Sequence, residues 1–402
     1  MVVGGGVAGA IVTRGLTARR EVEVICLERA GARDQSEAGT GLNVGPNGLK
    51  ALAATLPALA RTVRAASLPW RRWTIDLTDG TRLFDLDLAE VADNPGIRIR
   101  WAELYRVLRE DLSPAIRYGA ELRRIERDRA GRATVSWTER GGPRRAEDVD
   151  LVIAADGRYS RVREQLLRPP SPRYLGVVMY RLLWDAGPDC PIDDYGQWFN
   201  GPNRLLAFTV PGGHVYCAGT FPIAVPDGPV PDAMKDSEAL RRLYTPPTGV
   251  PSREAAYLLA GLTARVPDIH WARVQEDDIA FAVEGWPVLL VGDAAHPMIP
   301  TLGQGATQSM EDACVVVDVI EEAFARGEPL AAVPAAVDVR RRERVGFVMD
   351  FSRDASDTML AGADPVAGTL AKTRAPFRDR LRRLYRDVPV PDQRRGRGSS
   401  RD

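Results

Sequence analysis

Residues Val288 to Asp312 carry side chains of the types and spacing that chemistry needs. Four apolar residues, Val288 to Val291, stop at Gly292 and Asp293, as a short strand buried on both faces would. The loop that follows is stiffened by Pro297 and Pro300 and opened by Gly303 and Gly305, so its backbone can approach a ligand closely. From about Ala306 the apolar residues Met310, Ala313, Cys314, Val317 and Ile320 fall at helical spacing, so a helix starts where the glycines end. Strand end, loop and helix start present free N–H groups and the positive end of a dipole, which suits an electron-rich or anionic guest. Asp293 reads as a ligand contact or as a turn cap, and His296 as a general base or as a packed loop histidine.

A second constellation opens the chain. Gly4, Gly6 and Gly9 fit G-x-G-x-x-G between the apolar Met1-Val2-Val3 and a helical run ending near Arg20. A strand from Val22 to Leu27 follows and closes on Glu28, nineteen residues after Gly9, with Arg29 beside it. Gly4 permits a tight turn, Gly6 lets the backbone approach a pyrophosphate, Gly9 packs helix on strand, and Glu28 accepts from ribose hydroxyls. Only three residues precede Gly4, where a full strand has about five or six, so that strand is short or its start lies upstream. A third glycine-dense loop, containing Gly41, turns into a helix after Pro46.

Composition narrows the class. Acidic and basic residues balance at 54 each, which points to neither nucleic acid nor a membrane surface, and no run of about eighteen apolar residues spans a bilayer. From Lys372 to Asp402 there are eleven basic and four acidic residues, read as a solvated tail over 389–402. Cys26, Cys190, Cys217 and Cys314 are far apart, which suits reduced thiols and a cytoplasmic setting. The three histidines are not at metal-ligand spacing, so no protein-bound metal is expected.

The elements that must position these motifs follow from periodicity. Trp73 to Leu77 and Leu83 to Leu88 alternate around Thr78-Asp79-Gly80-Thr81, a hairpin. Ile97 to Arg100 leads into a helix over 101–112, charged strands run from Leu122 to Val149, and a buried strand, 151–155, ends at Asp156 and Gly157. From about Pro169 to Glu276 the chain is β-rich, with a proline-rich surface loop over 222–252, and a helical region spans Leu330 to about Ala361. The fold class is α/β: a Rossmann-like dinucleotide domain in separated pieces (1–69, 97–168, 277–345), an inserted antiparallel-sheet domain (70–96, 169–276) and a C-terminal helical region (346–388). A ligand at the junction would be enclosed on two sides.

These residues resemble the group A, single-component FAD-dependent aromatic hydroxylases, which include salicylate and 4-hydroxybenzoate hydroxylases. Three motifs occur in that family's order. Gly4-x-Gly6-x-x-Gly9 with Glu28 looks like its ADP-binding motif. Asp156-Gly157-Arg158-Tyr159-Ser160-Arg161-Val162-Arg163 is similar to its D-G-x-x-S-x-x-R motif, associated with FAD and nicotinamide. Gly292-Asp293 through Gly303-Gln304-Gly305 resembles its third motif, in which the Asp contacts the ribityl chain. Arg100 fits the place of an FAD-contacting arginine, although Glu103 replaces the family's usual Asp. The resemblance implies FAD as cofactor, NADPH or NADH and O2 as co-substrates, and oxygen transfer to an electron-rich aromatic carbon through a flavin C4a-hydroperoxide. It also implies a monomer or homodimer and a shorter member without a thioredoxin-like extension.

On this reading His296, Pro297, Gly303, Gln304, Gly305 and Ala306 surround the flavin ring. Arg158, Arg161, Arg163 and Arg168 either receive nicotinamide phosphates or form a solvated helix face. Substrate candidates are Tyr180, Arg181, Trp198, Phe208, Tyr216 and Cys217, with the Pro297 carbonyl facing them, and no basic cluster there dictates a carboxylated substrate. Alternatives are an FAD-dependent reductase or halogenase, whose Trp-x-Trp-x-Ile-Pro signature is missing, and a flavin-binding protein without turnover. A hydrolase lacks its G-x-S-x-G.

Overall fold

A computed structural model describes residues 1–402 except 33–39, 168, 170, 248, 389 and 391–402. Arg168 and nearly all of the expected basic tail thus lie outside the described residues. Five short strands form a parallel sheet in the spatial order Val288–Leu290, Val152–Ala154, Val2–Val3, Cys26–Glu28 and Ile116–Tyr118. The chain order reverses between Val2–Val3 and Val152–Ala154, and in such sheets ligands gather beyond the carboxyl ends at that switch point. The glycine loop after Val3, the Asp156 turn and Gly292-Asp293 all emerge on that rim. Val2–Val3, Val152–Ala154 and Val288–Leu290 are buried on both faces, which explains their uninterrupted apolar sequences. The expected second strand, 22–27, is shorter, because Cys26–Glu28 pairs only where the edges of Val2–Val3 and Ile116–Tyr118 face it.

A seven-stranded sheet stands across from this rim. Its order is His270–Glu276, Arg173–Asp185, His214–Pro222, Asn203–Val210, Tyr195–Asn200, Arg72–Leu77 and Arg82–Asp87. All neighbours are antiparallel except Tyr195–Asn200 beside Arg72–Leu77. Alternation sorts the side chains into two faces. Tyr180, Leu182, Trp184, Trp198, Leu205, Ala207, Val215 and Cys217 pack outward with Leu240, Tyr244, Leu258 and Leu262. Tyr195, Phe199, Leu206, Phe208, Val210 and Ala218 face inward, continuous with the core of the parallel sheet. The outer cover corrects the sequence reading of 222–252 as surface loop. Ser237–Tyr244 is a helix, capped by Asp236 accepting from the Ala239 amide, and Arg253–Thr263 lies beside it.

Two long helices back the catalytic rim. Gln304–Arg326 packs against Val7–Thr17 and against Val333–Asp354. Among the described residues no helix is long and apolar enough to cross a membrane. Gly15 marks the tightest crossing, since a Cβ there would lie 2.5 Å from Cγ2 of Val317. Gly15→Ala is therefore expected to destabilise the fold by about 1–3 kcal/mol through overpacking. Urea titration should show a lower midpoint with an unchanged slope.

Candidate active site

The first part of the site is the glycine turn. Gly4 has φ +96°, and a Cβ on it would come within 2.3 Å of the Ala155 carbonyl oxygen. A Cβ on Gly6 would meet nothing within 4 Å, so this side of the turn faces open space. The helix Val7–Thr17 begins there with Gly6 as N-cap, no side-chain cap and no acid in its first turn, leaving its amides free for an anion. Glu28 is engaged within the protein: Oε2 accepts from the Gly5 amide at 2.9 Å and Oε1 from the Ala30 amide at 2.8 Å. Arg109, unremarked in the sequence, donates from Nε to the Gly5 carbonyl at 2.7 Å and lies 3.4 Å from Glu28. Arg29 is exposed and borders a recess of about 380 Å³ with Gly119, Glu121, Thr138 and Glu139.

The second part is the Asp156 turn. Oδ2 of Asp156 accepts from the amides of Arg161 at 2.8 Å and Val162 at 3.3 Å, and Ser160 accepts from the Arg163 amide, so both cap the helix Arg161–Leu166. Burial raises the Asp156 pKa, and Oδ1 has no partner among the described residues. Gly157, at φ +81°, carries the turn.

The nearby arginines are committed. Arg158 donates to the carbonyls of Gln275 and Met298, each at 3.1 Å, and Arg161 pairs with Glu121 at 2.8 Å. Arg163 is a correction to the expected cofactor or nicotinamide contact. It is buried and donates to the carbonyls of Ala294, Ala295 and Asp278, bracing the third motif from behind.

The third part is the stretch 288–312. Gly292 has φ +58° and a Cβ there would strike Ser309, while Gly303, at φ +64°, is the N-cap of the Gln304–Arg326 helix. That helix start also has neither a side-chain cap nor an acid in its first turn. Asp293 is more than a third exposed on the same side, its nearest cation being Arg158 at 3.9 Å, and a Cβ on Gly305 would lie 3.7 Å from its Oδ1. Gly41 pairs with Arg100, and its strand Gly41–Val44 closes the gap to the large sheet. A Cβ on Gly41 would lie 2.8 Å from Cβ of Tyr216, and one on Gly303 would lie 2.6 Å from Nδ2 of Asn43. Asn43 Nδ2 is buried with no partner among the described residues.

Behind the helix start lies a buried charge network. Arg341 is fully buried and donates to Asp312 at 2.8 Å, Glu311 at 2.7 Å and Gln308 at 2.6 Å. Arg344 grips Glu311 with two donors, and Asn47 donates to Glu311 and Gln304. Asp312 accepts from the Gly292 amide at 2.8 Å and lies 2.6 Å from His296 Nε2. Burial alone would raise the pKa of Asp312, but His296 and Arg341 hold it down at about 2. Burial also opposes ionisation of Glu311, and Arg344 and Arg341 bring it to about 2.

This network corrects two expected ring neighbours. The His296 imidazole is fully buried against Asp312 and Phe281 rather than facing the junction, and the Gln304 side chain turns into the network. The Pro297 carbonyl accepts from the Asp277 amide at 3.0 Å, which ties this loop to the end of the His270–Glu276 strand.

Of the substrate candidates, Tyr180, Trp198 and Cys217 point into the outer core and do not meet the junction. Tyr180 lies across Gly219, and Trp198 lies over Gly196. Phe208, Tyr216 and Arg181 are on the inward register, where Phe208 and Tyr216 rings sit 4.8 Å apart and Phe208 stacks on Tyr195. Ile299 of the loop packs against Val177 of the same face.

Residues 268–351 match a family described as FAD binding domain. A 3-amino-4-hydroxybenzoate 2-monooxygenase, PtmB3 of Streptomyces platensis, is 32% identical over 377 residues, covering 85% of this chain and 86% of that protein. The chain belongs to the group A FAD-dependent aromatic hydroxylases. The salicylate hydroxylase of Pseudomonas putida is 28% identical to it, over 91% of this chain and 87% of that one. In fold, this hydroxylase is similar to Klebsiella pneumoniae HpxO complexed with FAD and uric acid, with a TM-score of 0.81, 22% identity and 97% of each chain covered.

The residues present fit FAD. Two uncapped helix starts, an open face at Gly6, the accessible Asp293 carboxylate and the orphaned Asn43 amide lie along one rim. Charge and hydrogen bonding of this kind suit a dinucleotide with a polyol linker and an electron-poor ring.

Arg341→Ala should leave two carboxylates buried without their counter-ion, and the hydroxylase should lose about 3–5 kcal/mol of stability in chemical denaturation. The depressed pKa values set a pH dependence. Both carboxylates are lower in the folded state, so their stabilisation is complete above the ordinary carboxylate range near 4 and is lost as pH falls toward 2. Thermal midpoints should drop through that window, and Asp312→Asn should flatten the drop.

Proposed function

We propose that this hydroxylase consumes a reduced nicotinamide dinucleotide, NADH or NADPH, and O2 to hydroxylate a small aromatic ring held between the flavin rim and the inward face of the seven-stranded sheet. The observation that carries the reading is the uncapped start of the Gln304–Arg326 helix facing Asn43 and the Gly41–Tyr216 contact, with Asp293 beside it. FAD, when bound, accepts the hydride and activates oxygen, chemistry for which no side chain has an equivalent. The amides of Gln304, Gly305 and Ala306 would hold the ring edge where negative charge grows, because a helix N-terminus favours an anion. Asp293 would accept from the ribityl hydroxyls, the Gly4–Gly9 turn would hold the pyrophosphate, and Arg109 keeps that turn in shape. Arg100, at the end of the strand paired to Gly41, would lie along the same linker.

The substrate side is aromatic and dry. Tyr195, Phe208 and Tyr216 line the inward face, and Leu206 and Ala218 complete its apolar part. Exclusion of water keeps activated oxygen from unproductive decay. Burial pushes the Tyr216 hydroxyl up to about 12, so it stays protonated at neutral pH and can donate to a bound ring substituent. Relatives named for a hydroxybenzoate and a salicylate support an aromatic substrate of one ring. Free cysteines throughout the chain agree with a cytoplasmic setting.

The test is a visible spectrum of the purified protein followed by NADH and NADPH oxidation with a panel of one-ring phenols. Aromatic-stimulated consumption of nicotinamide and O2 is expected, and its absence with every ring compound would refute turnover. Asp293→Ala should lower FAD affinity at least tenfold in equilibrium titration, and an unchanged affinity removes its assigned role.

A further inference from the structure

The start of the Gln304–Arg326 helix is backed by two layers of buried charge, and the layers have a fixed order. Glu311 and Asp312 form the layer next to the rim. Asn47 donates to Gln304 at 3.0 Å and to Glu311 at 2.6 Å, so one amide separates the Glu311 carboxylate from the first residue of the helix. Asp312 takes the Gly292 amide at 2.8 Å, one residue from Asp293. Arg341 and Arg344 form the layer behind, on the Val333–Asp354 helix. Arg344 donates to Glu311 at 2.8 Å and, away from the rim, to the carbonyls of Leu384 at 2.8 Å and Asp387 at 2.9 Å. Arg341 donates to Glu311, Asp312 and Gln308.

Solvent does not screen this arrangement. Gln304, Gln308, Glu311, Asp312 and Arg341 are all fully buried. Charges in such surroundings act farther than surface pairs do, since neither water nor salt fills the gap. Burial opposes the charge on Glu311, but Arg344 and Arg341 bring its pKa to about 2, so it is ionised at neutral pH. A buried ion network adds little net stability over apolar packing of the same volume. Four charges held in order behind one helix start thus have a use other than stability.

The chemistry in front of the helix supplies that use. Hydride transfer from a dihydronicotinamide brings two electrons and one proton to an oxidised flavin, and the donor leaves as a nicotinamidium cation. The flavin gains one negative charge, and the helix amides favour it. The carboxylate layer raises the energy of that charge, and the guanidinium layer lowers it.

Resting on the proposed placement of the flavin ring at this helix start, we infer that the Glu311–Arg344 pair, with Asp312 and Arg341 beside it, sets the reduction potential of the bound flavin. Glu311 pushes the potential down, which favours passing electrons on to oxygen. Arg344 pulls it up, which favours hydride uptake. Both act through the field at the Gln304 start rather than by contact, so they are positioning residues.

The experiment measures the two-electron reduction potential of FAD bound to the full chain at pH 7, by equilibration with redox dyes without O2. Glu311→Gln removes one negative charge and can still accept from Asn47. It should favour reduction about tenfold, a rise of about 30 mV. Arg344→Gln removes one positive charge while Arg341 stays beside Glu311, and should lower the potential by about the same amount. Arg344→Lys keeps the charge without the fork and should hold the wild-type potential. The double variant Glu311→Gln, Arg344→Gln should return to within about threefold of the wild type. Loss of either charge should lower the thermal midpoint, so the opposite signs of the potential shifts separate an electrostatic role from structural support. Single variants that stay within about threefold of the wild type, shifts of one sign in both, or an Arg344→Lys potential that matches Arg344→Gln overturn the inference. A wild-type chain that takes up no FAD removes both the inference and the placement it rests on, whereas FAD retained at a potential blind to these charges removes the inference alone.

Discussion

The geometry of the flavin rim depends on the buried charge network around Arg341. Three elements with no sequence proximity meet there: the Pro46–Thr55 helix through Asn47, the Gln304–Arg326 helix through Glu311 and Asp312, and the Val333–Asp354 helix through Arg341 and Arg344. Asp312 also takes the Gly292 amide and meets His296, so the loop is fixed to the helix that follows it. A buried ion pair gives little net stability over an apolar pair of the same size, but it is intolerant of misplacement. Here that intolerance sets where Gly292, Asp293 and Gly303 stand.

The motifs were legible because their physics is local. Gly4, Gly9, Gly292 and Gly303 are required by turns and close backbone approaches, and the apolar strands that precede them follow from burial on both faces. The family followed from those motifs in order, and the mixed α/β architecture from alternating patterns. What stayed hidden was contact between distant residues. Arg163, inside a recognised motif, turned out to brace the loop from behind, and His296 to face Asp312. Arg341 did leave a trace: it lies four residues after Val337 and four before Val345, both buried, on the apolar stripe of its helix. A charge at such a position asks for a buried partner, and Glu311 and Asp312 stand on an equally apolar stripe.

The substrate face was the least legible part, and parity is the reason. A list of aromatic residues in strands does not say which of two faces each one serves. Only the pairing register separates Tyr180, Trp198 and Cys217, which pack under the Ser237–Tyr244 and Arg253–Thr263 helices, from Arg181, Phe208 and Tyr216.

The strand Arg173–Asp185 therefore carries two messages in alternate letters. Val178, Tyr180, Leu182 and Trp184 specify a hydrophobic core, and the intervening Met179, Arg181 and Leu183 specify a chamber wall. Selection can rewrite one set while leaving the other untouched, so new chambers can arise on an unchanged scaffold. Insertion or deletion of one residue has the opposite effect, exchanging the two sets and placing a guanidinium in the core. Substitution is thus the open route to a new ligand for this sheet, and length change is closed to it.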